Sequence, residues 1–135
     1  MYKRQSGFTE TGLSSAVGQQ LAKLTVLNPF LLLLIICLSV TFLTEFTSNT
    51  ASTLLILPIL AEAVQTSQVF QDISVLMIPA TISASCAFMM PVATAPNAII
   101  YGSGKLTVGR MVKEGFVLNI LFALIISSYF YAFYL

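Results

Sequence analysis

Charge is what this sequence has least of. Only 8% of its 135 residues are Asp, Glu, Lys or Arg, against roughly 25% in an ordinary soluble domain. A globular chain so poor in charge has almost nothing to present to water. With 57% of its residues hydrophobic, the expected solvent is lipid. Histidine is absent, which excludes a Ser–His nucleophile pair. Glu45 is the one acid placed between apolar arms, so a paired-carboxylate centre lacks its second member. No enzyme activity and no cofactor is therefore expected. The two cysteines, Cys37 and Cys86, lie inside apolar runs. Without histidine they cannot build a tetrahedral zinc site, and a buried free thiol is their ordinary state. Net charge is +1 with no basic patch, and no nucleic-acid partner is expected. Tryptophan is also absent, but Tyr129, Tyr131 and Tyr134 crowd one end of an apolar run. That is where tyrosine suits a membrane–water interface.

The few charges divide the chain into uncharged stretches at 24–44, 46–61, 73–104 and 115–135. Crossing about 30 Å of hydrocarbon takes roughly 20 apolar residues in a helix. The first and last stretches are long enough. The arm over 51–64 is short, as expected of a half-helix. The stretch 73–104 is long but interrupted. Pro91-Val92-Ala93-Thr94-Ala95-Pro96-Asn97 carries two prolines, and each removes a backbone donor and opposes a continuous helix. One helix is expected to end near Met90 and a short one to begin near Asn97. Unwound backbone inside a membrane survives only against protein or a watery cavity, so an interrupted helix points to a binding site.

A second interruption lies at Thr44-Glu45-Phe46-Thr47-Ser48-Asn49-Thr50. Ser, Asn and Thr compete with helical backbone through their own side chains and make good N-caps for a helix starting at Ala51. A polar turn at the tip of two apolar arms reads as a membrane hairpin. Beyond Lys23, the basic residues Lys105, Arg110 and Lys113 share one short segment, which the positive-inside rule places in the cytoplasm. The segment around 62–72 has two acids and no base, and the last helix then runs outward.

The order of parts is therefore as follows. Residues 1–5, Met1-Tyr2-Lys3-Arg4-Gln5, resemble a translated adapter remnant and are expected to be a non-native start. Residues 6–25 form a connecting or interfacial segment, and 26–66 the hairpin with Ser-Asn-Thr at its tip. Residues 72–103 form a broken transmembrane helix, 104–114 a cytoplasmic loop and 115–135 the last transmembrane helix. The fold class expected is an all-α membrane protein with a re-entrant hairpin and a broken helix.

The two interruptions also carry a resemblance. Thr44 to Ala51, followed by Leu57-Pro58-Ile59, resembles the second Ser-Asn-Thr signature of the divalent anion:sodium symporters. These are the sodium-coupled dicarboxylate, citrate and sulfate transporters. Farther on, Pro91-Val92-Ala93-Thr94-Ala95-Pro96-Asn97-Ala98-Ile99 resembles the family's other C-terminal signature, and Ile78-Pro79-Ala80 between them also fits. The resemblance covers 8–135. It implies the second half of an inverted-repeat transporter, with the first repeat and its own hairpin lying upstream. It implies that Ser48, Asn49 and Thr50 face the substrate from the hairpin tip and that Thr94 and Ala95 approach it from the broken helix. It implies a sodium site of Thr44, Thr47, Asn49 and Ala93, with Thr47 and Ala93 offering main-chain carbonyls. The family often has proline where this chain has Ala95. Its sulfate-transporting members tend to depart from Ser-Asn-Thr and from Ala-Thr at these places; this chain keeps both, which leans toward carboxylates.

These residue types suit that chemistry. Hydroxyl and amide donors hold a carboxylate without fixing a cation at mid-membrane, and a helix N-terminus adds unpaired N–H groups and a partial positive charge. Sodium, a hard cation, takes oxygen ligands. Glu45 is favoured as structural, since a carboxylate in a carboxylate site would repel its ligand. The function expected is sodium-coupled import of di- or tricarboxylates such as succinate, malate, fumarate or citrate, in a multi-pass inner (plasma) membrane protein that forms a homodimer at full length. Sodium-independent dicarboxylate exchange and sulfate transport are the alternatives within the family. A small structural subunit of a membrane complex is the alternative of another class.

Overall fold

The structure, a computed structural model, describes residues 28–66 and 72–135. The expected non-native start and connecting segment over 1–25, and part of the acidic loop, lie outside the described residues. Among those described, five helices and no strand are present: α1 Pro29–Thr44, α2 Asn49–Thr66, α3 Ser74–Ala84, α4 Ala95–Gly102 and α5 Val108–Tyr134. The all-α class expected from the sequence stands.

Helix α1 starts where Pro29 occupies the first turn and the Asn28 side chain accepts the Phe30 N–H at 3.0 Å. Both features satisfy or remove donors that the first turn leaves orphaned. Its sequence is apolar all round, yet only one face is covered. Leu32, Leu33, Ile36, Cys37, Val40, Thr41 and Thr44 are buried, a stripe at helical spacing. Leu31, Ile35 and Leu43 point outward and are apolar too. An element with apolar residues on both its packed and its open face suits a lipid or protein surround.

Helix α1 packs chiefly on α5 and α3, and α3 also contacts α2 and α5. The α1–α5 pair is antiparallel. Phe30 at the start of α1 meets Tyr131 near the end of α5 at 5.7 Å, and Phe42 near the end of α1 meets Phe116 early in α5, also at 5.7 Å. Small residues allow the close approach. Gly115, Asn119, Ala123 and Ser127 lie on the buried stripe of α5, as small and polar residues do where membrane helices touch. The opposite face of α5 exposes Phe116, Val117, Leu121, Leu124 and Ile125. Of the described helices, α5 alone is long and apolar enough to cross a membrane.

Three boundaries differ from those expected. Helix α2 starts at Asn49 rather than Ala51, because Ser48 is the residue that caps it: its carbonyl takes the Ser52 N–H at 2.9 Å and its hydroxyl the Ala51 N–H at 3.3 Å. Helix α3 ends at Ala84 rather than near Met90. The Ser85 and Cys86 amides close the last turn on Ile82 O and Ser83 O, and those of Phe88, Met89 and Met90 are taken by distant side chains instead of helical carbonyls. Helix α5 begins at Val108 rather than at 115, because Thr107 caps it by accepting the Arg110 N–H at 3.4 Å. Arg110 and Lys113 therefore ride on its first turns, and only Lys105 of the three bases lies in the connecting loop.

Candidate functional site

The site is built around unwound backbone. Between α3 and α4 the chain runs without helix from Ser85 to Thr94. Buried backbone polar groups need partners, and here three side chains supply them: Glu45 and Asn119, distant in sequence, accept from amides, and Asn97, close by, donates to carbonyls. The Glu45 carboxylate accepts from Met89 N through Oε1 and from Met90 N through Oε2, each at 2.9 Å. Asn119, on α5, donates from Nδ2 to Glu45 Oε1 at 2.7 Å and accepts the Phe88 N–H on Oδ1 at 3.3 Å. Asn97, in the first turn of α4, donates from Nδ2 to Ala87 O at 2.8 Å and to Met90 O at 3.0 Å. Glu45 is 1% exposed and Asn119 is 0% exposed. Every partner of Glu45 named here is an N–H donor, which is what an acceptor-only carboxylate requires. The segment also lies close to α5: a Cβ added at Gly115 would come 2.5 Å from Phe88 O.

The chain then turns into α4. Thr94 is extended, and its hydroxyl accepts the Asn97 N–H at 3.3 Å, a side-chain N-cap. Ala95 is the first helical residue, exposed, and Pro96 follows in the first turn. Ala93 is half-buried, with its N–H donated to Met90 O at 3.1 Å.

The other half of the site is the turn between α1 and α2. Thr44 is fully buried and its hydroxyl donates to Thr41 O at 3.0 Å. The Thr47 hydroxyl donates to Leu43 O at 2.9 Å and also contacts the Ser52 hydroxyl. Ser48 and Thr50 are exposed at the N-terminus of α2. Asn49 is half-buried, and its side-chain oxygen Oδ1 is buried with no hydrogen-bond partner.

Each expected residue therefore has a definite place. Ser48, Asn49 and Thr50 open α2, and Thr44 and Thr47 flank the turn before it. Ala93, Thr94 and Ala95 end the unwound segment and open α4. The two segments are tied together through Glu45, the residue after Thr44, to Met89 and Met90. Sequence reasoning set Glu45 outside the ligand shell; its carboxylate bonds to the Met89 and Met90 amides and to Asn119. It missed Asn119 and the double donation of Asn97. The available signal for Asn119 was a lone carboxamide inside the uncharged stretch 115–135.

Capped helix N-termini and an unwound stretch, in a chain whose open faces are apolar, define an interrupted-helix membrane protein. A family model described as the sodium:sulfate symporter transmembrane region matches residues 2–134. The chain belongs to that family of membrane transporters. It is 42% identical over 120 residues to the sodium-dependent dicarboxylate transporter SdcS of Staphylococcus saprophyticus, and 45% identical over 120 residues to the protein of the same name from Staphylococcus aureus. Each match covers 89% of this chain and 23% of the relative, so the chain spans about a quarter of the length of these curated relatives.

Proposed function

We propose that this chain supplies half of the binding site of a sodium-coupled transporter for di- or tricarboxylates. The observation that carries the reading is the buried Oδ1 of Asn49, which has no protein partner although it sits at the N-terminus of α2. A buried carboxamide oxygen left unpaired is costly, and a hard cation is a fitting partner for it. Thr44 and Thr47 use their hydroxyl protons on backbone carbonyls, which leaves oxygen lone pairs for the same ion. The main-chain carbonyls of Thr47 and Ala93 complete the proposed sodium set.

The anion would lie between the two helix starts. Ser48, Asn49 and Thr50 at α2, and Thr94 and Ala95 at α4, offer hydroxyls, amides and first-turn N–H groups with no fixed cation. Sodium beside the carboxylate offsets its charge and couples the two gradients. The names of the staphylococcal relatives, which are sodium-dependent dicarboxylate transporters, support this choice of ion and substrate class.

In the whole protein, α1 and α2 form the re-entrant hairpin of 26–66, and α3, the unwound segment and α4 form the broken helix of 72–103. The segment with Lys105, Arg110 and Lys113 faces the cytoplasm and α5 runs outward. The full-length protein is a multi-pass homodimer of the plasma membrane with the remaining half of the site in its other repeat.

The test is labelled succinate uptake by the full-length protein in liposomes, with and without a sodium gradient. Sodium-driven uptake that is lost in Asn49→Ala supports the reading. Uptake that needs internal dicarboxylate and ignores sodium makes the protein an exchanger and removes the sodium ligands. Sulfate uptake without carboxylate uptake refutes the substrate class.

A further inference from the structure

We infer that Glu45 is a positioning residue for the proposed ion and anion site, acting through the backbone of the unwound segment, and that Asn119 makes α5 part of the same unit. The inference rests on the function proposed above. The reasoning starts from cost. Taking a carboxylate out of water is expensive, and apolar packing of similar volume commonly stabilises a core as well or better. A buried glutamate is a poor choice if cohesion were all that was needed. What it offers is geometry. Its two oxygens take the N–H groups of consecutive residues, Met89 and Met90. No helical carbonyl can do that once the chain has left α3.

The placement is passed along bond by bond. Glu45 Oε2 fixes Met90 N, and Met90 O accepts both Asn97 Nδ2 and Ala93 N, at 3.0 and 3.1 Å. Asn97 N donates to the Thr94 hydroxyl. A continuous hydrogen-bonded path therefore runs from the residue next to Thr44 to the residues that would hold sodium and substrate on the broken helix. Glu45 touches neither ligand in this scheme. It sets the distance between the two halves of the site. Asn119 closes the other side, holding Glu45 Oε1 with its amide and Phe88 N with its oxygen. The turn after α1, the unwound segment and α5 are thus pinned at one point, and a displacement of one carries the others with it.

The experiment uses Glu45→Gln and Asn119→Ala in the full-length protein, reconstituted and normalised to folded protein. Glutamine has one acceptor oxygen and an amide that must face a donor, so at least one of Met89 N and Met90 N is released. Loss of a hydrogen bond to a charged group corresponds to about a tenfold weaker site. Half-saturating sodium and succinate are expected to rise about tenfold in Glu45→Gln, with the maximal rate per transporter close to wild type. Asn119→Ala should rise less, in the same direction. A structural role alone would lower the amount of folded protein and leave both half-saturations unchanged. Residue-level hydrogen–deuterium exchange, without substrate, reads the same contact independently of transport: Met89 and Met90 should be protected in the wild type and exchange faster in Glu45→Gln. Wild-type exchange together with wild-type half-saturation in Glu45→Gln overturns the inference. If the unmodified protein transports without sodium, the proposed function falls while the exchange measurement still decides the role of Glu45. If Glu45→Gln fails to fold, Asn119→Ala decides: faster exchange at Phe88 and Met89 with raised half-saturation supports the inference, and unchanged values of both overturn it.

Discussion

Replacing Gly115 with alanine measures how closely α5 approaches the unwound segment. A Cβ there would meet Phe88 O at 2.5 Å, Phe88 C at 2.6 Å and Met89 Cα at 2.7 Å. All three are backbone atoms, so no rotamer change relieves the clash. Ordinary contact begins near 3.4 Å, and helix and segment must therefore part by most of an ångström. The Phe88 N–H to Asn119 Oδ1 bond, one turn along α5, is already 3.3 Å long and does not survive that separation. Overpacking of this kind costs about 1–3 kcal/mol, and the lost bond adds about 1 kcal/mol. Alanine returns about 1 kcal/mol in helix propensity over glycine. The net expectation is a destabilisation of about 1–3 kcal/mol. The assay is thermal unfolding of the purified full-length protein at one fixed scan rate, followed by a thiol-reactive dye that reports exposure of the buried Cys37 and Cys86. Gly115→Ala should melt several degrees lower. A melting temperature equal to or above that of the wild type would mean that propensity prevails and that the close approach does not exist.

Other outcomes follow from the same contacts. Asn97→Ala orphans the carbonyls of Ala87 and Met90 and should cost about 1–3 kcal/mol in the same melt; Asn97→Asp, which turns the donor into an acceptor, should cost more. Leu33→Ala, at a position 0% exposed, should cost about 2–5 kcal/mol, while Ile35→Ala on the open face of the same helix should cost far less. Equal losses for the two would refute the assignment of the buried stripe. The Ser74 backbone N–H, 2.8 Å from Asp72, holds that carboxyl below its ordinary range. Because the folded value is the lowered one, the contribution is present above the ordinary aspartate value and is lost as pH falls through the lowered value. Asp72→Asn should therefore flatten the acid-side decline in melting temperature, and an unchanged slope would remove Asp72 from the account.

How much of this was legible beforehand depended on where the information lay along the chain. Both interruptions were readable, because prolines at 91 and 96 and the Ser-Asn-Thr run at 48–50 act on their own neighbours. The N-cap Ser48 belongs to the same local class, whereas Thr94 and Thr107 cap by the same chemistry but were not read as caps. The extent of the unwound segment was not readable. Ser85-Cys86-Ala87-Phe88-Met89-Met90 is compositionally indistinguishable from the helix before it. Its last three amides, of Phe88, Met89 and Met90, are taken by Asn119 and Glu45 rather than by helical carbonyls, and these lie 31, 44 and 45 residues away in sequence. The start of α5 was misplaced for the opposite reason: Arg110, Lys113 and Glu114 mimic a polar loop although they sit on the helix that Thr107 caps. The buried stripe of α1 was equally hidden, since its covered and open faces are both apolar.

The long reach of Glu45 has a consequence for biogenesis. Its amide partners leave the ribosome 44 and 45 residues after it, and Asn119 follows 74 residues after it. At about 5–20 residues per second, the acid waits about 4–15 s for its last partner. An acidic side chain at the bilayer centre costs about 2.5–3.5 kcal/mol on insertion scales while it lacks partners. The junction of the turn after α1 with the unwound segment is therefore completed only once α5, which carries Asn119, has been made.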